Sequence, residues 1–116
     1  MASSTEKNSD FLEAKPHNLS NYLNTLVNKL DKIRSRNFGF SKEVVYSDLL
    51  RLVGNCENLD LDFDILITSK LPKYLHLAYV MLLEINDANS LGYQRLLPRI
   101  SKVRKMCKEK VLELVV

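Results

Sequence analysis

Two histidines, two cysteines and a run of alternating aspartates are the only places in these 116 residues where side-chain types approach a chemical site. His17 and His76 lie far apart, and neither accompanies a second ligand at the spacing of a metal-binding helix. No Gly-x-Ser-x-Gly elbow and no glycine-rich phosphate loop occurs, and the carboxylates are scattered, so nothing assembles a nucleophile with its base. Cys56 and Cys107 have no metal-ligand spacing and fit buried structural thiols in a reducing compartment better than a bridge or a zinc site. The run Asp60-x-Asp62-x-Asp64 opens like a calcium loop, but Ile65 occupies the sixth place, where the sharp turn needs glycine. Leu71 occupies the twelfth, where a bidentate glutamate belongs. The chain is therefore expected to be non-enzymatic, with no metal and no cofactor.

Chemistry of this kind must be carried by a surface, and composition says what sort of scaffold presents it. A chain of 116 residues suffices for one domain with one core and no staples. Three glycines and three prolines are too few for a fold built on many tight turns, which favours helices. The formal charge of +3 is a mild bias toward acidic partners, far short of a polyanion-binding signature. The opening MASSTEKNSD lacks the basic-then-apolar order of a signal peptide, and no apolar run approaches a membrane span. The Asn18-Leu19-Ser20 sequon is accordingly read as a chance match, and no membrane partner is expected.

The expected fold is all-α: a compact bundle of four to five helices, residues 18–116, behind a flexible N-terminal tail, residues 1–17. The tail is polar, with Phe11 and Leu12 its one bulky apolar pair, and buries too little to offset ordering. From there Leu19, Tyr22, Leu23, Leu26, Val27, Leu30 and Ile33 recur at steps of three and four, one face of a helix capped by Asn18 or Ser20 and ending near Arg36. A second helix through Val44, Val45, Leu49, Leu52 and Val53 is expected to stop at Gly54 as its C′ residue. Residues 59–67 alternate apolar with acidic like a strand. A lone strand would have no partner, so a short helix capped by Asp60 or Asp62 is expected. Ser69 and Pro72 open a helix apolar over most of its circumference, with Leu77, Val80 and Met81 forming a second side, as for a helix at the middle of a bundle. The last helix follows Pro98, with Ile100, Val103, Cys107, Val111 and Leu114 inward. Its outward residues Arg99, Lys102, Arg104, Lys105, Lys108 and Lys110 make it the most basic element.

The stretch LLRLVGNCENLDLDFDILITSKLPKYL resembles the central pattern of the TFIIS N-terminal domain family. Leu49 and Leu50 match its leucine pair, Leu59 and Leu61 the step before the third helix, and Thr68, Ser69, Lys70 and Leu71 the turn into the next, with Pro72 where that family often has glycine. Within the family the layout is most similar to the integrase-binding domain of lens epithelium-derived growth factor, and the resemblance spans roughly residues 19–115. It implies a nuclear docking module (alternatively cytoplasmic) of transcription elongation or chromatin tethering, which grips short disordered peptides, acidic with a bulky apolar anchor, using the loops at one end. By position those loops supply Asn37, Phe38 and Phe40 from the first and Ile85, Asp87, Leu91 and Tyr93 from the one before the last helix. The integrase-binding domain's Ile-Asp pair in the first loop has no counterpart here.

The residues support such a surface without the family. Aromatic and aliphatic side chains in loops offer anchor contacts, and nearby Lys102 and Lys105 attract acidic flanks. Alternatively Phe38, Phe40 and Tyr93 close the core. Two other classes stand beside docking: a nucleic-acid binder using the last helix, which has phosphate-binding lysines but no accompanying aromatic for base stacking, and a self-associating accessory bundle.

Overall fold

A computed structural model describes residues 16–37, 39–58 and 69–115, which form four α-helices: α1 (Pro16–Arg34), α2 (Lys42–Asn58), α3 (Leu71–Ile85) and α4 (Leu91–Val115). Among the described residues there is no strand, and the expected all-α bundle is what the chain forms. The short helix expected at 59–67, the alternating aspartates, Phe38 and nearly all of the tail lie outside the described residues.

The helices meet through faces spaced three and four apart. Leu19, Leu23, Leu26, Leu30 and Ile33 of α1 and Val45, Tyr46, Leu49, Leu52, Val53 and Cys56 of α2 are buried in one core. Leu71, Leu75, Ala78, Met81 and Leu82 of α3 and Tyr93, Leu96, Ile100, Val103 and Cys107 of α4 complete the core. Cross-helix pairs fix the directions. Tyr74 donates to Asn24 and Arg34 meets Glu84 at 2.5 Å, so α1 and α3 run parallel. Lys42 meets Asp87 at 2.5 Å while Arg99 meets Glu57, so α2 and α4 also run parallel. Arg104 lies beside His76 and Tyr79, which sets α3 and α4 antiparallel. Each helix packs chiefly on two others, in the order α1, α2, α4, α3 around the bundle. The chain between α2 and α3 therefore joins diagonal helices, while the short connections 35–41 and 86–90 share one end.

Several boundaries differ from the sequence expectation. α1 is already helical at Pro16, ahead of the expected caps Asn18 and Ser20. It ends in a Schellman turn: Asn37 N–H donates to Lys32 O and Arg36 N–H to Ile33 O, both at 3.0 Å, with Arg36 in the left-handed region at φ 61°. The helix thus ends near Arg36 as expected, and Gly39 in the following connection has no positive φ.

Gly54 does not end α2, which runs on to Asn58. A Cβ there would lie 3.3 Å from Arg99 Nη2, so this glycine sits where α4 approaches. Val44, expected inward, is 54% exposed. Pro98 likewise does not start α4 but lies inside it. Its missing N–H leaves the Gln94 carbonyl without an intrahelical partner, but both residues are exposed and water can serve. Leu96 before it and Ile100 after it are fully buried, so packing carries the helix through. Finally, α3 is not the bundle's centre. It has two main neighbours like the rest, and Leu77 and Leu83 face outward.

Candidate functional site

The bundle end that carries both short connections is built from two helix N-termini and two helix C-termini. Ser41 caps α2, its Oγ accepting from Glu43 N–H at 3.2 Å and its carbonyl accepting from Val44 and Val45. Ser90, itself buried, caps α4 by accepting from Tyr93 N–H at 3.4 Å, and its hydroxyl donates to Glu43 Oε2 at 3.1 Å. Glu43 and Asp87 thus sit at the positive ends of two adjacent helix dipoles. Asn86, in the left-handed region at φ 51°, closes α3 by donating to Leu82 O at 3.1 Å. Lys42 and Asp87 bind the two connections directly.

Of the seven expected loop residues, Phe38 lies outside the described residues and the other six divide. Asn37 is exposed, its N–H spent on the α1 turn. Phe40 and Ile85 are half-buried, packed on the core from the rim. Asp87 is only 18% exposed and holds Lys42, so its carboxylate is already engaged. Leu91 is 60% exposed at the first position of α4, the most exposed large apolar side chain among the described residues. Tyr93 corrects the expectation: it is 7% exposed, inside α4, and belongs to the core. Its spacing to Leu96 and Ile100 carried that signal, masked by starting the helix at Pro98. Val44, one turn into α2 at the same end, joins Leu91 as an exposed apolar group that sequence reading had placed inside.

Lys102 and Lys105 are exposed, as expected, but not in the loop cluster. At 1.5 Å per residue they stand roughly 17 and 21 Å along α4 from Leu91. Leu91, Arg95, Pro98, Lys102 and Lys105 recur at steps of four and three, forming one outward stripe that begins at the loop end. α4 holds seven basic side chains against Glu109 and Glu113, so its net +5 exceeds the whole chain's +3 and leaves the remainder at −2.

Among the described residues, the two thiols and, near this surface, the buried tyrosine are held protonated. Burial pushes the Cys56 thiol up to about 12, with Cys107 and Glu57 adding to it, and burial pushes Cys107 up to about 11. Neither is a thiolate at neutral pH. Tyr46, fully buried under the loop end, is pushed up to about 12 by burial, then by Asp87, Glu43 and Tyr93, and its hydroxyl has no hydrogen-bond partner. Among the described residues no three His, Cys, Asp or Glu side chains converge as a metal site, and no helix is long and apolar enough to cross a membrane. On the α3–α4 seam Arg104 lies 4.0 Å over the Tyr79 ring and donates to His76 Nδ1 at 3.0 Å, a cluster that no spacing along the chain signals.

Compared with protein families, with curated proteins and with solved structures, the chain matches none.

Proposed function

We propose that the chain is a non-enzymatic docking module for short disordered peptides that carry a bulky apolar anchor and an acidic flank. The anchor sits at the loop end, where Leu91 and Val44 are exposed and Phe40 and Ile85 are half-buried on the core. The flank runs along the outward stripe of α4, past Arg95, Lys102 and Lys105. The observation that carries this reading is the stripe: an exposed leucine at the mouth of two tied connections, continuous with a basic face whose Arg95, Lys102 and Lys105 have no carboxylate partner among the described residues. Anchors supply most of the affinity in such contacts, and exposed charges mainly speed encounter. The resemblance of residues 49–71 to the TFIIS N-terminal domain family supports placing such peptides in transcription or chromatin proteins, and the module in the nucleus.

Titration of a fluorescent acidic peptide with one central phenylalanine tests it. Leu91→Ser is expected to weaken binding about tenfold without lowering Tm, because the side chain is exposed and its loss costs roughly 1–2 kcal/mol of anchor contact. Lys102→Glu with Lys105→Glu is expected to slow association in low salt and to matter little in high salt. A peptide that fails to bind, or binds Leu91→Ser as tightly as the parent, refutes the proposal.

A further inference from the structure

We infer that the α3–α4 seam around Arg104 is a contact site for single-stranded nucleic acid, distinct from the peptide's anchor at the loop end and sharing only Lys105 with the stripe its acidic flank would follow. Arg104 is half-buried, its guanidinium stacked 4.0 Å over the Tyr79 ring and anchored by donating from Nη1 to His76 Nδ1 at 3.0 Å. Among the described residues it has no carboxylate partner, and no second ring covers its other face. A flexible, partly exposed cation is thus held in one orientation, and bases stack on guanidinium planes as they do on aromatic rings.

Phosphate contacts surround that plane. Lys108 lies one helical turn along α4 on the same side, Lys105 follows Arg104 directly, and Lys73 lies one turn before His76 on α3. All three are exposed, and none has a carboxylate partner among the described residues. The nearest acid on α4 is Glu109, against a helix of net +5. Lysines without an aromatic would suit any anion; the Tyr79–Arg104 tier is what favours a strand with unstacked bases over an acidic peptide. A carboxylate prefers the guanidinium edge, and part of that edge is already given to His76.

Fluorescence anisotropy of a labelled oligouridine with the full chain tests this, against a duplex of equal length and against polyglutamate. The expected result is micromolar-range binding at low salt, tighter for the single strand than for the duplex, with log affinity falling as log salt rises by about 0.7 per phosphate contact. Arg104→Lys is the decisive variant, since it keeps the charge and removes the plane. It should weaken oligouridine by about five- to a hundredfold, the range of one lost stacking contact, while leaving the salt slope unchanged. Lys105→Gln and Lys108→Gln should each flatten the slope by about 0.7 instead. Circular dichroism melts verify that each variant is folded. If Arg104→Lys binds like the parent, if the duplex binds as well as the single strand, or if polyglutamate binds where oligouridine does not, the inference is overturned. The Leu91→Ser variant should bind oligouridine normally, so failure here and failure of peptide docking are told apart.

Discussion

Gly92→Ala is the sharpest perturbation the fold offers. Gly92 is the second residue of α4 and lies flat against Tyr46 of α2, where an added Cβ would stand 2.7 Å from both the Cβ and the Cδ2 of the tyrosine and 3.1 Å from its Cγ. Carbon atoms pack best at about 3.5–4.0 Å, so the methyl overlaps by close to 1 Å. Tyr46 cannot yield, because its ring is fully buried in the core, and the Lys42–Asp87 and Glu43–Ser90 pairs clamp the same ends of α2 and α4. Relieving such overpacking costs about 1–3 kcal/mol, against at most about 1 kcal/mol gained from alanine's better helix propensity. A net loss of roughly 1–2 kcal/mol is expected, measured by urea denaturation followed at 222 nm. Gly54→Ala is the matched control. Its Cβ meets only the flexible tip of Arg99 at 3.3 Å, so the propensity gain should prevail and stability should rise by about 0.5–1 kcal/mol. A Gly92→Ala variant as stable as the parent would refute the close approach of α2 and α4.

Arg36→Gly should stabilise the chain by about 0.5–1 kcal/mol in the same denaturation assay, since Arg36 occupies the left-handed position of the α1 turn where a side chain is disfavoured; a loss would show that Arg36 contributes contacts outweighing that strain. Tyr46→Phe should be neutral or stabilising by up to about 1 kcal/mol, because it removes a buried hydroxyl with no partner; a substantial loss in Tm would mean that water or another group satisfies it. Tyr46, Cys56 and Cys107 all have folded-state values raised above their ordinary ones, so each favours the folded state fully below its unfolded value and loses that contribution as pH rises toward the folded value. Stability by urea titration should therefore decline from about pH 9 upward, first through the thiols and above about pH 10 also through Tyr46, whose share is about 2–3 kcal/mol. A flat profile from pH 8 to 11 would contradict the burial of these groups. Phe40→Ala should lower stability by about 1–2 kcal/mol as well as weaken peptide binding, since the ring is half-buried on the core; an unchanged melt would make it a pure contact residue.

Within the proposed surface, exposure was the quantity a sequence could not supply. Tyr93 and Leu91 belong to the same short stretch and both looked available, but the helix that starts at Ser90 rotates one into the core and the other into solvent. Asp87 read as a free loop carboxylate because its partner Lys42 is 45 residues away. Lys102 and Lys105 were rightly placed outside, although their distance from the loops follows only once α4 is known to begin at Leu91.

What the sequence determined by itself is the helical class and the inward face of α1, while Val44 of α2 and Tyr93 of α4 were misplaced. Steps of three and four among Leu19, Leu23, Leu26, Leu30 and Ile33 are a local code, as is the Ser69–Pro72 start of the third helix, where Ser69 Oγ accepts from Leu71 N–H and Pro72 lies in the first turn, and both appear in the fold. Tertiary structure decided where local signals were overruled. Gly54 and Pro98 both read as helix ends and both lie within helices, because buried neighbours on either side gain more from continued packing than the residue itself costs. Only the tertiary structure could order the helices as α1, α2, α4, α3 and bring the two connections to one end. It alone could lay Arg104 across Tyr79, since that pair spans two helices and no periodicity along one chain encodes which faces will meet.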